Sequence, residues 1–159
     1  MNSEFLNEPF TKNFSRTSTM KKKLLEEKKP TAHQLEVLYM LGFEFYKSEN
    51  FQKAADIFRL LCFYEPEKSR NWMALGGANQ NSKNYRTAAA AFLMAALEDP
   101  LNPEPRLYLA HSFIDMMNLS AARDAVEQAL ELCTLSNNQQ KLQLKAQSLL
   151  RALESISQE

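Results

Sequence analysis

The chain has 159 residues, about one domain in length, and its 45% hydrophobic and 24% charged residues are typical of a globular protein. The charges of nineteen basic and nineteen acidic residues cancel, so the formal net charge is zero. This argues against a protein held to nucleic acid by bulk electrostatic attraction, which needs a surplus of Lys and Arg. No apolar run approaches the ~20 residues of a membrane-spanning helix, and the first residues lack the apolar segment of a secretory signal. We therefore expect no direct membrane insertion.

Residues 1–30 are predicted to form an N-terminal helical arm. They hold seven basic and four acidic residues, among them the run Lys21–Lys23. That run is interpreted as a solvated helix face, with a nucleic-acid or membrane contact as the alternative. The arm also contains four large apolar residues, Phe5, Leu6, Phe10 and Phe14. We expect these side chains to pack on a partner, and a homodimer through the arm is one candidate.

A 34-residue repeat organises residues 31–136. Shifting residues 35–68 onto residues 69–102 gives eight identical pairs, against roughly two for random pairing. The pairs are Leu41/Leu75, Gly42/Gly76, Ser48/Ser82, Asn50/Asn84, Ala54/Ala88, Ala55/Ala89, Phe58/Phe92 and Pro66/Pro100. A weaker third copy covers residues 103–136, so the sequence predicts three copies of one structural unit.

Each copy is predicted to be a pair of helices. Thr31 and Gln34 form a capping box at the start of the first helix, and Pro66 and Pro100 end second helices because proline cannot continue them. The predicted bounds are 31–48 and 51–64, then 69–81 and 85–98, then 103–117 and 120–133. A glycine inside a helix costs about 1 kcal/mol relative to alanine. We therefore interpret the three mid-helix glycines as points of close helix approach.

Residues 137–159 are predicted to form a final helix at about 138–157. Its apolar stripe consists of Leu142, Leu149, Leu150, Leu153 and Ile156. Such a helix would cover the apolar end of a stack of repeats.

The second copy resembles the tetratricopeptide repeat, a 34-residue helix–turn–helix unit. The matching residues are Trp72, Leu75, Gly76, Ala88, Phe92, Ala95 and Pro100. The resemblance implies an all-α fold: an α-solenoid of three tetratricopeptide repeats (35–68, 69–102 and 103–136) with an N-terminal helical arm and a C-terminal capping helix.

Repeats of this family curve, and their first helices line the concave side. Family geometry implies a peptide-binding groove formed by Tyr39, Phe43, Tyr46, Met73, Gln80, Leu107, His111 and Ile114. It also implies a groove rim formed by Glu36, Lys47, Arg70, Asn81, Glu104 and Asp115, with Gly77 on the same face. An apolar, aromatic centre with polar edges is typical of a slot for an extended peptide.

The alternative is that Tyr39, Phe43 and Tyr46 are core residues that pack against the N-terminal segment, because a spacing of three and four residues fits any buried helical stripe. We favour the groove, since Leu38, Leu41 and Phe45 already supply a core face.

No feature of the sequence indicates an enzyme. His111 and Asp115 lie one turn apart, but no further His or Cys cluster supports a metal site. Nucleophile–base motifs, phosphate-binding glycine loops and CxxC motifs are all lacking. The two cysteines, Cys62 and Cys133, form no disulfide framework and are expected to be reduced. We predict no cofactor and no metal.

Two kinds of peptide-binding repeat protein are candidates. Eukaryotic co-chaperones grip an acidic C-terminus with a clamp of Lys, Asn and Arg. The matching positions here are Tyr39, Phe43, Ala74, Glu104 and Tyr108, which cannot supply that clamp. Residues 38–66 (LYMLGFEFYKSENFQKAADIFRLLCFYEP) look instead like the first repeat of the class II chaperones of bacterial type III secretion systems, and residues 137–154 are also similar to some members.

That second resemblance implies a chaperone of the bacterial cytoplasm. It would bind an extended P-x-L-x-x-P type segment of hydrophobic translocator proteins in pockets lined by tyrosines, which Tyr39 and Tyr46 match in position. Gly77 and Asn79 depart from the family, which often has Tyr or Cys there, and this puts the central pocket's shape in question. The alternatives are a general repeat scaffold joining two proteins, or an RNA-binding regulator using the Lys21–Lys23 arm.

Overall fold

The computed structural model describes residues 29–135 and 139–156 of the chain. The described residues from Leu35 onward belong to one compact unit. Every regular element among the described residues is an α-helix. The helices are α1 (Ala32–Lys47), α2 (Phe51–Tyr64), α3 (Ser69–Asn81), α4 (Tyr85–Glu98), α5 (Glu104–Asp115), α6 (Leu119–Leu135) and α7 (Gln140–Ile156).

Consecutive helices pack on one another from α2 through α7, and the ring of Tyr39 on α1 packs against Phe58 on α2. The predicted all-α solenoid of helix pairs is therefore confirmed. The predicted bounds of α2, α3 and α4 coincide with the observed ones. Residues 1–28 of the predicted N-terminal arm (residues 1–30) lie outside the described residues. They include its apolar residues, the Lys21–Lys23 run and the predicted dimer contact.

The predicted capping box is present at the start of α1. The backbone N–H of Gln34 donates to Oγ1 of Thr31 at 3.2 Å, and the backbone N–H of Thr31 donates to Oε1 of Gln34 at 2.8 Å. These two bonds satisfy donors that a helix N-terminus otherwise leaves without partners.

Two of the three glycines give close approach of paired helices, as predicted. A Cβ on Gly42 would lie 2.8 Å from Cε1 of Phe58. One on Gly76 would lie 2.6 Å from Cδ1 of Phe92. The two phenyl rings, each 1% exposed, occupy the space that the missing side chains leave.

The turn inside each helix pair repeats with the same backbone geometry. Glu49, Lys83 and Met117, which occupy the same position of successive repeats, adopt left-handed φ angles of 60°, 61° and 58°. The next residue is an asparagine in each copy, and its N–H donates at 2.8 Å to the carbonyl five residues earlier. This is the Schellman pattern, which satisfies carbonyls at a helix C-terminus.

The link between successive pairs is also repeated, with a different donor each time. Nε1 of Trp72 donates to the carbonyl oxygen of Pro66 at 2.6 Å. In the next copy, a guanidinium N–H of Arg106 donates to the carbonyl oxygen of Pro100 at 3.2 Å. The donor thus lies at the same position of the repeat in both copies, and each bond holds the start of a first helix against the end of the preceding second helix.

Helix α7 packs on α6 and buries Ala146 and Leu153. Leu142, Leu149 and Leu150 are half-buried against the same core. Ile156, predicted to belong to this stripe, is 53% exposed, so the buried stripe ends at Leu153. None of the helices in the described parts of the chain has both the length and the apolarity to cross a membrane.

Candidate functional site

An open cavity of about 460 Å³, which we call the groove, lies between the first helices α1, α3 and α5. Six of the residues predicted from the sequence line it. They are Tyr39, Phe43 and Tyr46 on α1, Arg70 and Met73 on α3, and Glu104 at the start of α5. Three successive repeats therefore contribute to one concave site.

Tyr39 is half-buried, with one side of its ring on the core and Arg70 over the ring. Its ring centroid lies 5.6 Å from that of Phe58, with the planes tilted by 56°. Cζ of Arg70 lies 4.5 Å from the Tyr39 centroid, a cation–π distance. Arg70 also donates a hydrogen bond to the Glu36 carboxylate in an ion pair between equivalent positions of two repeats.

That ion pair shifts the pKa of both of its members. The hydrogen bond from Arg70 lowers the pKa of the Glu36 carboxyl below its usual range, against a smaller opposing effect of desolvation. The hydrogen bond to Glu36 in turn raises the pKa of the Arg70 guanidinium. Both side chains are about half exposed, so this rim pair is accessible to water and to an incoming ligand.

Tyr46 and Phe43 form the rest of the α1 wall. The ring of Tyr46 meets Phe51 edge-on at 5.4 Å, and its hydroxyl oxygen accepts a 2.8 Å hydrogen bond from Nδ2 of Asn81. Phe43 is 49% exposed, with Nζ of Lys47 lying 5.7 Å from its ring centroid. The two tyrosines thus pack on α2 through one side and line the groove with another.

Leu38, Leu41 and Phe45 were predicted to supply the core face of α1, and that prediction is only partly right. Leu38 and Phe45 are half-buried against the core, whereas Leu41 is 45% exposed. The buried residues of this helix are Leu35, one turn before Leu38, and Gly42.

Three other predicted residues join neighbouring first helices and do not line the groove. Nε2 of Gln80 donates to the Asp115 carboxylate, and Oγ of Ser112 donates to Oε1 of Gln80 at 2.6 Å. Asn81 is committed to Tyr46 and to the carbonyl of Gly77. These bonds lie at the carboxyl-terminal ends of α1, α3 and α5, where they fix the spacing of the repeats.

Leu107 and His111 line a separate, smaller pocket of about 80 Å³, which we call the small pocket. Leu107 is 6% exposed and belongs mainly to the core. Ile114 is half-buried against that core and lines neither cavity.

Several lining residues were not predicted from the sequence. Tyr108 stacks on Phe92 with centroids 5.3 Å apart and planes at 23°. Burial, and secondarily the Glu104 carboxylate, raises the pKa of the Tyr108 hydroxyl. Ala74, at the equivalent position of the preceding repeat, also lines the groove. The repeat register therefore held the signal, because both residues occupy the sixth position of their repeats.

Gly77 and Asn79 differ in their relation to the groove. A Cβ on Gly77 would lie 3.8 Å from Cε2 and Oη of Tyr46, in ordinary contact, so close helix packing does not explain this glycine. Gly77 widens the floor of the groove. Asn79 is 3% exposed and donates to the carbonyl of Leu75, facing away from the groove.

The described residues contain no group of three or more His, Cys, Asp or Glu side chains that could hold a metal ion. Cys62 and Cys133 are buried free thiols. Burial raises the pKa of the Cys62 thiol to about 12 and that of Cys133 above its usual value, which makes both poor nucleophiles. The groove offers shape, aromatic surface and hydrogen-bonding groups, the chemistry of non-covalent peptide binding.

Comparison with known proteins agrees with this geometry. A tetratricopeptide repeat family model matches residues 35–68. The chain is 27% identical over 119 residues to "Low calcium response locus protein H" of Yersinia pestis, over 75% of this chain and 71% of that protein.

Among the similar solved structures are two that hold a bound segment of another protein. One is the type III secretion chaperone SycD of Yersinia enterocolitica with a peptide of the translocator YopD; it is 26% identical with a TM-score of 0.74, over 81% of this chain and 98% of that one. The other is PcrH of Pseudomonas aeruginosa with the chaperone-binding region of PopD; it is 25% identical with a TM-score of 0.75, over 80% of this chain and 96% of that one. The chain is similar in sequence and in fold to these solved secretion chaperones. In this chain, the stretch matched by the repeat model supplies the aromatic wall of Tyr39, Phe43 and Tyr46.

Proposed function

We propose that the chain is a secretion chaperone that holds an extended, apolar segment of a type III translocator protein in the groove, in the bacterial cytoplasm. The observation that carries this proposal is an open cavity of about 460 Å³, walled by aromatic side chains, on the shared face of three first helices. The likeness to SycD and PcrH, whose structures hold translocator segments, supports it.

Different residues of the groove would contribute different interactions with the bound segment. Tyr39, Phe43 and Tyr46 present apolar ring surface that loses little rotamer entropy on binding. Gly77 leaves room for an anchoring side chain against the floor. Arg70 and Glu104, on α3 and α5, place polar groups where the backbone of an extended ligand could meet them.

Such a chaperone would act by burial and not by catalysis. A translocator carries membrane-seeking apolar segments that aggregate when exposed. Occupation of the groove stabilises the bound form by mass action, so the client stays soluble without covalent chemistry or a cofactor. Release then needs only a competing acceptor at the export machinery.

A calorimetric titration tests the proposal with two synthetic peptides, one with a P-x-L-x-x-P anchor and one with an acidic C-terminal tail. We expect the first to bind and the second not to bind. Replacing Tyr39 and Tyr46 together by Ala should weaken the first complex at least tenfold, since each ring buries apolar area. The matched control is Phe63→Ala, which removes an aromatic ring that is 59% exposed on α2 and does not line the groove.

The helical circular-dichroism signal must survive in the double variant for this assignment to stand. If helicity and binding are lost together, the tyrosines are core residues, and the assignment of the groove as the binding site fails. If the acidic tail alone binds, a general repeat adaptor becomes the better description of the chain.

We further propose that the remaining predicted residues act as rim and support. Glu36 and Lys47 would bound the α1 side of the groove, and Gln80, Asn81 and Asp115 would keep the three first helices at the spacing an extended ligand needs. Self-association through the arm at residues 1–30 also remains a proposal. It would be tested by sedimentation of the chain with and without those residues.

A further inference from the structure

The last helix continues the register of the repeats onto the groove side. Lys145 and Leu142 lie one full repeat length after His111 and Tyr108, respectively. Tyr108 and His111 both line cavities on the shared face of the first helices. Helix α7 therefore takes the place of the first helix of an incomplete fourth repeat, and it is more than a cover for the apolar end of the stack.

The small pocket lies where this fourth position meets α5. Helix α7 contributes Leu142, Lys145 and Leu149, and α5 contributes Leu107 and His111. Its volume of about 80 Å³ exceeds the ~10–15 Å³ that one water requires and is far smaller than the groove. The three leucines give it one apolar wall, and the polar groups of Glu104, Tyr108, His111 and Lys145 give it a polar part of similar extent.

The small pocket and the groove share two lining residues. Glu104 and Tyr108, one helical turn apart on α5, line both. The two cavities are therefore neighbours, separated by a single turn of one helix. A bound peptide that leaves the groove across α5 reaches the small pocket.

We propose that the small pocket is a second anchor site, which binds one aliphatic side chain of the same extended segment that occupies the groove. This inference rests on the proposed function, because the groove must first hold a segment that can continue across α5. Three leucine side chains favour an aliphatic group, and the shared wall of Glu104 and Tyr108 favours a continuous ligand over a separate one.

The geometry also sets the spacing between the two anchors. A helix with its side chains is about 10 Å wide, and an extended chain advances about 3.3 Å per residue. Crossing α5 therefore takes about three residues. The aliphatic residue should follow or precede the groove anchor by at least that number.

The test uses three synthetic peptides and three forms of the full chain. The short peptide carries the P-x-L-x-x-P anchor alone. Two longer peptides add a three-residue Gly-Ser spacer and one leucine, at the N-terminal end in one and at the C-terminal end in the other. The chain is used as wild type, as Lys145→Trp, which fills the small pocket from its edge, and as the control Arg151→Trp. Arg151 is exposed on α7 and does not line the pocket.

We expect one of the two longer peptides to bind the wild-type chain about tenfold more tightly than the short one, as burial of a leucine side chain allows. That gain should disappear in Lys145→Trp and persist in Arg151→Trp. The short peptide should bind all three forms equally. Circular dichroism checks that each form keeps its helical content.

Two results would overturn the inference while leaving the groove assignment intact. One is that neither longer peptide gains affinity over the short peptide. The other is that the gain is unchanged in Lys145→Trp. If the short peptide fails to bind the wild-type chain, the proposed function is wrong and the second anchor site falls with it.

Discussion

Gly76 and Phe92 share one space, because a Cβ on Gly76 would lie 2.6 Å from Cδ1 and 2.8 Å from Cζ of the phenyl ring. The ring is 1% exposed and packed against its neighbours, so it must shift to admit the Cβ. In the third repeat the equivalent residues are Ala110 and Val126, both fully buried. Where the first helix gains a methyl group, the second helix carries a smaller side chain.

Gly76→Ala should lower the free energy of unfolding by about 2 kcal/mol, because the forced shift of Phe92 costs more than the ~1 kcal/mol that alanine gains over glycine in a helix. The matched control is Gly77→Ala, one residue further along α3, where the new Cβ meets Tyr46 at 3.8 Å. The control should raise stability by up to about 1 kcal/mol. Urea denaturation followed by circular dichroism measures both changes.

Adding Phe92→Val to Gly76→Ala should restore part of the lost stability, because it copies the Ala110 and Val126 combination of the third repeat. The double-mutant cycle should therefore show a coupling of about 1 kcal/mol or more between the two positions. Additive losses would mean that the two side chains do not compete for the same space.

Lys83→Gly should stabilise the chain by about 0.5 kcal/mol, because a left-handed φ strains a side chain with a Cβ, and glycine relieves that strain at some cost in unfolded-state entropy. The φ of Lys83 is 61°. Ala90→Gly serves as the control, because Ala90 is exposed inside α4 and should lose about 1 kcal/mol. Thermal unfolding monitored by circular dichroism distinguishes the two. Equal losses would show that the turn carries no such strain.

The pKa of the Glu36 carboxyl should return toward its ordinary value in Arg70→Gln. Arg70 holds that pKa low by its hydrogen bond, so the ion pair stabilises the chain above the ordinary carboxyl pKa and is lost as pH falls through the lowered one. An NMR pH titration of the Glu36 side chain measures the shift. Lys47→Gln is the control, because Lys47 pairs with Glu44 at 3.1 Å. An unchanged Glu36 titration in Arg70→Gln would contradict the assignment.

Cys62 should react slowly with thiol reagents at neutral pH in the folded chain. The thiol is 4% exposed, and burial raises its pKa to about 12, so little thiolate is present. Labelling with iodoacetamide, followed by mass spectrometry, should modify Cys62 at least a hundredfold faster in denaturant than in buffer. Rapid labelling of the native chain would mean that α2 opens locally.

The sequence was sufficient for the helix pairs because their signals are local. Glycine, alanine and phenylalanine recur at a fixed 34-residue spacing, and Pro66 and Pro100 mark the ends of second helices. The bounds of α2, α3 and α4 follow from those residues alone. Which side of a first helix faces the groove came instead from the resemblance to the tetratricopeptide repeat, because the periodicity alone fits a groove wall and a buried stripe equally well.

Distance along the helix axis was harder to predict. Gln80, Asn81 and Asp115 share the groove side with Tyr39, yet they lie beyond the cavity, where neighbouring helices approach and their polar groups find partners. A periodic pattern specifies an angle around a helix and contains no information on this axial position. Tyr108 was missed for a different reason, since the sixth position of the repeat was not assigned to the groove although both Ala74 and Tyr108 line it.

The groove is a gap between three helices from different repeats, and not a hollow inside one packed unit. Its width therefore changes whenever neighbouring repeats rotate against each other, because each repeat is held mainly by its nearest neighbours. A bound segment that touches α1, α3 and α5 together restrains the rotation of the three repeats against one another. Amide hydrogen exchange in all three helices should slow on occupation, including in parts of α1 and α5 that the ligand does not touch. The chain with an occupied groove is thus expected to be stiffer than the chain with an empty one, a mechanical difference by which a partner protein would distinguish the two.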